Sequence, residues 1–327
     1  MHAWRVHEYG NYRELLTWEE CDEPSPPEAG VVVEVEAAGL NFPDLLFIAG
    51  KYQVKAPLPF VPGMEASGRV IAAGKKSRFG AGDRVIATNL WGAFGERMAL
   101  PDQTCFRMPD QMTGVHAAAL TIVYQTGYFA LDYRARLQKG EVLLVHGGSG
   151  GVGTAAIQIG KALGATVIAT AGNDEKLDIC RRCGADHLIN YRDDDFVREV
   201  KKLTSGRGAD VIFDPIGGDV FDSSLKCIAF GGRVLVIGFA SGRIPEVRTN
   251  RILLKNISVI GLNWGNHQFH EPARIHATHD RLCEMYCNGE IEPIIYREYQ
   301  RNQLPEALAA IEKRASYGKV ILRMRSE

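Results

Sequence analysis

The stretch Val142–Gly153, VLLVHGGSGGVG, decides the fold. Val142–His146 reads as a short buried strand, and an apolar helix runs from about Val152 to Leu163. Between them Gly148, Gly150 and Gly153 form G-x-G-x-x-G, directly after a strand and directly before a helix. In that setting each glycine has a physical task. The first permits the tight turn, the second lets the backbone approach a pyrophosphate, and the third lets helix and strand pack closely. Ser149, Gly151 and Val152 complete a turn whose free N–H groups, at a helix N-terminus, favour an anion.

The same rhythm extends outward from this turn. Thr166–Thr170 reads as a strand and Asp174–Cys183 as a helix ending before Gly184. His187–Ile189, Asp210–Phe213, Arg233–Ile237 and Ile257–Gly261 read as further strands, with helices over Asp193–Ser205 and Phe221–Ile228 between them. Strands alternating with helices imply right-handed crossovers and a doubly wound parallel sheet. Before about residue 124 the texture differs. Val31–Ala37, Arg69–Ala73 and Asp83–Ala87 alternate between turns bearing glycine and proline, the pattern of half-buried antiparallel strands. A helix over Leu304–Arg314 and a strand over Lys319–Arg323 return the tail to that first domain. The expected organisation is therefore an α/β chain with a discontinuous β domain, 1–123 and 266–327, around a dinucleotide-binding domain, 124–265.

An NAD site usually carries an acid about 20 residues beyond the turn, at the end of the second strand. Here Ala171, Gly172 and Asn173 stand there. No carboxylate repels a 2′-phosphate, and Lys176 lies one turn into the next helix, so the cofactor expected is NADPH. Asp174 either caps that helix or faces a ribose.

Composition narrows the function classes. In 327 residues, 38 basic and 39 acidic side chains leave a net charge of −1, which gives no electrostatic case for nucleic acid or an anionic membrane. No apolar run approaches the roughly 18 residues that span a bilayer. The first ten residues lack the layout of a secretory signal, and the seven scattered cysteines do not suggest a disulfide framework. A soluble, cytoplasmic protein without a membrane partner is expected.

Several stretches together resemble the zinc-independent quinone oxidoreductases of the medium-chain dehydrogenase/reductase superfamily. They are GLNFPDLLFIAGKY (39–52), PFVPGMEASGRV (59–70), HGGSGGVG, GADHLINY (184–191), FDPIGG (213–218) and RVLVIGFASG (233–242). The resemblance implies a GroES-like, partly barrelled β domain plus a Rossmann domain, with the active site in the cleft between them. It also implies NADPH and a homodimer. Its 2′-phosphate contacts fall on Lys176, Tyr191 and Arg314, and Thr126, Gly238 and Phe239 match positions lining the nicotinamide.

Zinc-dependent relatives place a cysteine ligand where this chain has Asn41 and a histidine where it has Met64. They also carry a lobe of four cysteines, whereas Asp83–Phe106 holds only Cys105. Catalytic zinc needs three protein ligands and structural zinc four, so no metal is expected. Cys180/Cys183 and Cys283/Cys287 read as buried thiols, His267/His270 and His276/His279 as surface histidines, and Glu65 as structural.

Without zinc, hydrogen-bond donors must stabilise charge on the substrate oxygen. Asn41, standing in for the metal ligand, and Tyr52, a hydroxyl able to donate a bond or a proton, are the candidate catalytic residues. Asp44 holds the loop. The expected reaction is NADPH-dependent reduction of a quinone or similar activated carbonyl compound. Enoyl-thioester reduction is the alternative, because Tyr52 also matches the proton donor of reductases acting on an activated alkene. A non-catalytic NADPH-binding protein is a second alternative.

Overall fold

In the computed structural model, which describes residues 1–325, the alternating N-terminal stretches form strands. These are β1 (His2–Val6), β2 (Leu16–Glu20), β3 (Gly30–Leu40), β4 (Glu65–Ala73), β5 (Arg84–Thr88), β6 (Arg97–Pro101) and β7 (Cys105–Arg107). The βα rhythm supplies β8 (Val142–Val145), β9 (Thr166–Ala171), β10 (His187–Asn190), β11 (Ala209–Asp214), β12 (Ile228–Val236) and β13 (Ser258–Gly261). The tail adds β14 (Ile295–Gln300) and β15 (Lys319–Arg323).

One compact unit comprises, among the described residues, 1–122, 271–287 and 293–325. Its main sheet runs β14-β15-β3-β4-β5-β7, with β6 also on β3. Strand β3 is largely buried on both faces, and its register against β4 shifts twice, between Val32 and Val33 and between Val35 and Ala37. Such irregularities bend a strand and increase its twist, which lets a sheet curl around a core. That core includes Val33, Val35, Phe47, Phe94, Met98, Leu308 and Val320. The helix Phe42–Ile48 starts where β3 ends, so Asn41 stands at the corner between them.

The second unit comprises Val123–His270 and Asn288–Glu292. Its parallel sheet has the order β10-β9-β8-β11-β12-β13, a doubly wound arrangement that reverses direction between β8 and β11. Ligands bind such sheets beyond the strand ends at that reversal, which is where the glycine-rich turn leaves β8. The unit reaches further along the chain than the expected 124–265. Residues 266–270 belong to it because they continue the helix Trp264–His270, whose Trp264 Nε1 donates to Gln125 Oε1 at 3.1 Å. Residues 288–292 belong to it because the Glu292 carbonyl accepts from Tyr124 and from Gln158, at 2.9 and 2.8 Å. Among the described residues no helix is long and apolar enough to cross a membrane.

Candidate active site

The turn after β8 is shaped by its glycines. Gly148 N–H donates to Thr170 O (2.9 Å), and Gly150 N–H donates to Gly147 O (2.9 Å). Gly150 caps the helix Gly151–Ala162. A Cβ on Gly153 would lie 2.2 Å from Gly147 O, so only glycine allows the helix to start this close to the turn. A Cβ on Gly150 would meet nothing nearer than 3.4 Å, which leaves that side of the turn open. Ser149 is buried, while Gly151 and Val152 are half-buried at the helix N-terminus. Such a turn, with N–H groups at the positive end of a helix, can accept an anion.

At the end of β9 a second polar corner forms within the same unit. Asn173, not Asp174, caps the helix Asp174–Arg182, its side chain accepting from Lys176 N–H at 2.9 Å. Asp174 is therefore the first helical residue. Parallel pairing of β9 with β10 sets Asn190 opposite Ala171, and this register carries the next two residues toward Gly172. A Cβ on Gly172 would lie 2.6 Å from the Tyr191 hydroxyl and 3.4 Å from Arg192 Nε. Tyr191 is half exposed. Arg192 is a cation that local sequence does not point to; with Tyr191 it lies against Gly172, at the strand end that leads into the helix carrying Lys176. Arg314 lies in the first unit, in a left-handed conformation (φ 52°).

Beneath the turn sits His146, buried to 2 % exposure. The Ser224 hydroxyl donates to Val220 O, so its oxygen accepts from His146 Nε2–H at 2.8 Å. Nδ1 is then the acceptor for Thr170 Oγ1–H at 3.1 Å. The neutral imidazole thus ties β8 and β9 to the helix Gly218–Cys227, and burial pushes its pKa down to about 3. On the neighbouring strand ends, Asp214 Oδ1 accepts from Ile216 and Gly217 N–H. The segment bearing Gly238 and Phe239 lies against this loop, with Ala240 N–H donating to Pro215 O at 3.1 Å. Phe239 is partly exposed and Thr126 is buried.

The first unit holds a buried polar cluster at the corner between β3 and the Phe42 helix. Lys319 Nζ donates to Glu65 Oε1 (2.6 Å), Asn41 Oδ1 (2.8 Å) and Leu40 O (2.9 Å). Asn41 Nδ2 donates to Glu65 Oε1 (2.9 Å) and Gly39 O (3.3 Å). Both amide hydrogens and the amide oxygen have partners in the chain, so Asn41, expected to donate to a substrate oxygen, is engaged here in organising the corner. Asp44 Oδ2 accepts from Asn41 N–H at 2.7 Å, while Oδ1 is buried without a partner. Tyr52 stacks on Phe47, ring centroids 4.3 Å apart, and its hydroxyl makes no hydrogen bond among the described residues. Burial, and then the charge of Asp44, push the Tyr52 phenol above its usual range.

This cluster does not fit a catalytic zinc. The Asn41 oxygen is occupied by an ammonium that would repel a divalent cation, and Met64 offers only a thioether. The cysteines are free, and burial pushes the Cys180 and Cys183 thiols up to about 12 and about 11, the range of inert core sulfur. Cys287, by contrast, is exposed. The histidine reading also needs correction. His279 is buried, stacked on Phe106 at 4.7 Å and bonded to Arg107 O, because its helix packs that face onto β7.

Residues 27–110 match the family model of the alcohol dehydrogenase GroES-like domain, and residues 151–277 match that of the zinc-binding dehydrogenases. A quinone oxidoreductase-like protein 2 homolog of Nematostella vectensis is 40% identical over 296 residues, covering 89% of this chain and 81% of that one. A quinone oxidoreductase structure from Pseudomonas syringae superposes with a TM-score of 0.92 at 30% identity, covering 99% of both chains. The Escherichia coli quinone oxidoreductase complexed with NADPH gives 0.91 at 27% identity, covering 99% of this chain and 100% of that one.

Proposed function

Because this chain belongs to the quinone oxidoreductase family of the medium-chain dehydrogenase/reductase superfamily, we propose that it reduces quinones and similar activated carbonyl compounds with NADPH and without a metal. The observation that carries this reading is the second unit's pair of anion corners, a glycine cradle at Gly148–Gly153 and a carboxylate-free strand end beside Lys176, Tyr191 and Arg192. When bound, the reduced nicotinamide supplies a hydride, the two electrons of the reduction. The cradle holds the pyrophosphate by backbone N–H groups. Lys176, Tyr191 and Arg192, with Arg314, hold the 2′-phosphate by charge-assisted bonds. Thr126, Gly238 and Phe239 line the nicotinamide.

Tyr52 is the side chain offered to the substrate, since its phenol keeps its proton and lacks an internal acceptor. Donation from that hydroxyl stabilises charge developing on a substrate oxygen. A quinone needs little more, because its reduced form is a stabilised aromatic dianion that solvent can protonate. Orientation is then the protein's main contribution.

The protein acts in the cytoplasm as a homodimer. Free cysteines suit a reducing compartment. Edge strand β13, near the exposed side chains Phe230, Leu253 and Leu254, suits pairing across a two-fold axis.

NADPH oxidation measured with 1,4-benzoquinone, 9,10-phenanthrenequinone and crotonyl-CoA tests the substrate class. Rapid turnover of the quinones, unaffected by EDTA, is expected. Turnover of crotonyl-CoA with inert quinones would replace this reading with reduction of an activated alkene. NADPH binding without turnover of any of them would make the protein a non-catalytic binder.

A further inference from the structure

The buried cluster of the first unit contains two carboxyl groups, Glu65 and Asp44, and one ammonium, Lys319. Glu65 pairs with Lys319 and has a donor on each oxygen. Oε1 receives Lys319 and Asn41, and Oε2 receives Ile122 N–H at 3.0 Å. This is the environment of a carboxylate. Asp44, fully buried, receives one donor on Oδ2 and none on Oδ1. A second ionised carboxylate would give the buried cluster a net charge of −1, which is costly. The two carboxyl groups therefore divide the roles that the hydrogen bonds allow.

We propose that Asp44 is held as a neutral carboxylic acid, with its proton on Oδ1, and that this neutral form is the working one. Asp44 is a positioning residue, acting through its charge on the surroundings of Tyr52. The inference rests on the proposed reduction only for its functional half. In that reaction the substrate would receive the hydride that reduced nicotinamide supplies when bound, leaving the oxidised cofactor, and would carry negative charge until it takes a proton from Tyr52 or solvent. The Asp44 proton is not transferred. A neutral Asp44 leaves the cluster uncharged, so it does not oppose negative charge growing near Tyr52. Ionised Asp44 opposes it.

The surroundings agree. Burial pushes the Asp44 carboxyl up to about 7, against the lowering effects of the Asn41 N–H and Lys319, and Glu65 raises it further. From the loop beyond the helix, Tyr52 is the titratable neighbour. The helix Leu304–Glu312, which also packs on the Phe42 helix, buries Leu304, Ala307 and Leu308. Its Glu306 is exposed and its Glu312 is engaged with Tyr12 and Arg13. The charges that set the state of Asp44 are therefore those of Lys319 and Glu65.

Infrared difference spectra of the full protein, without cofactor, test the protonation directly. A protonated-carboxyl C=O band is expected at pH 6, fading as pH rises through about 7 and missing at every pH in Asp44→Asn. Carbon-13 NMR titration of the wild-type aspartate carboxyls gives the same answer should the variant fail to fold. For the functional half, the wild-type hydride-transfer rate should fall on the alkaline side while Asp44→Asn, neutral at all pH, keeps its pH 6 rate there. A persistent band with no turnover would overturn the functional half alone. Lack of an Asp44 carboxylic-acid signal at pH 6, or an alkaline fall unchanged in Asp44→Asn, overturns the proposal.

Discussion

Replacing Lys319 with methionine is expected to destabilise the first unit by about 3–5 kcal/mol. The ammonium is 3% exposed and the Glu65 carboxylate it contacts is fully buried. Methionine preserves most of the side-chain volume and removes only the charge and its three donors. Glu65 is then an uncompensated buried anion, and Asn41 Oδ1 loses the ammonium that donates to it. The loss comes from the abandoned partners rather than from the bond itself, so removing the second charge should restore stability. Glu65→Gln combined with Lys319→Met should recover a large part of it. Thermal and urea unfolding of the two single variants and the double variant measure this. A single-variant loss below about 1 kcal/mol, the range of an exposed ion pair, would show that the cluster is hydrated and the assignment of its charges wrong.

Acid is expected to destabilise the second unit through His146. Its folded pKa, about 3, lies below the ordinary value of 6.5. The unfolded chain therefore takes up a proton below pH 6.5 while the folded chain does not until about pH 3. Above pH 6.5 the residue adds no pH dependence. Stability is lost progressively as pH falls from 6.5 toward 3, at about 1.4 kcal/mol per unit and by about 4–5 kcal/mol in all. His146→Gln, which cannot titrate, should remove that slope. Hydrogen exchange of β8 and β9 amides between pH 7 and 4 reports it within this unit, after correction for the intrinsic exchange rate. Identical slopes in wild type and variant would mean that the imidazole becomes charged in place.

What could be read along the chain and what could not differ by the range of the interaction. The phosphate turn was legible because its strand, glycines and helix are neighbours in sequence, and Ala171 and Lys176 sit at fixed offsets from it. Arg192 was not, because its approach to Gly172 depends on the register of β10 against β9, a tertiary fact. Asn41 was found from local sequence, but its partner Lys319 lies 278 residues away, and no local pattern announces that an amide will be held on both ends. His279 looked like a surface residue since its helix is polar on average, yet Phe106 from β7 covers its ring. The one-residue error at Asp174 is of another kind. Asparagine and aspartate both cap helices, and only the backbone angles of Asn173 decide which does.

Selection of NADPH by the second unit is expected to run through the 2′-phosphate. Equilibrium binding of NADPH and NADH to the wild-type protein and to Lys176→Ala tests it most directly. The prediction is that NADPH binds roughly tenfold or more tightly than NADH, as one or more charge-assisted bonds to the phosphate require. In Lys176→Ala that advantage should shrink while NADH binding stays unchanged. Equal affinities in the wild type, or equal losses for both cofactors in the variant, would contradict the account.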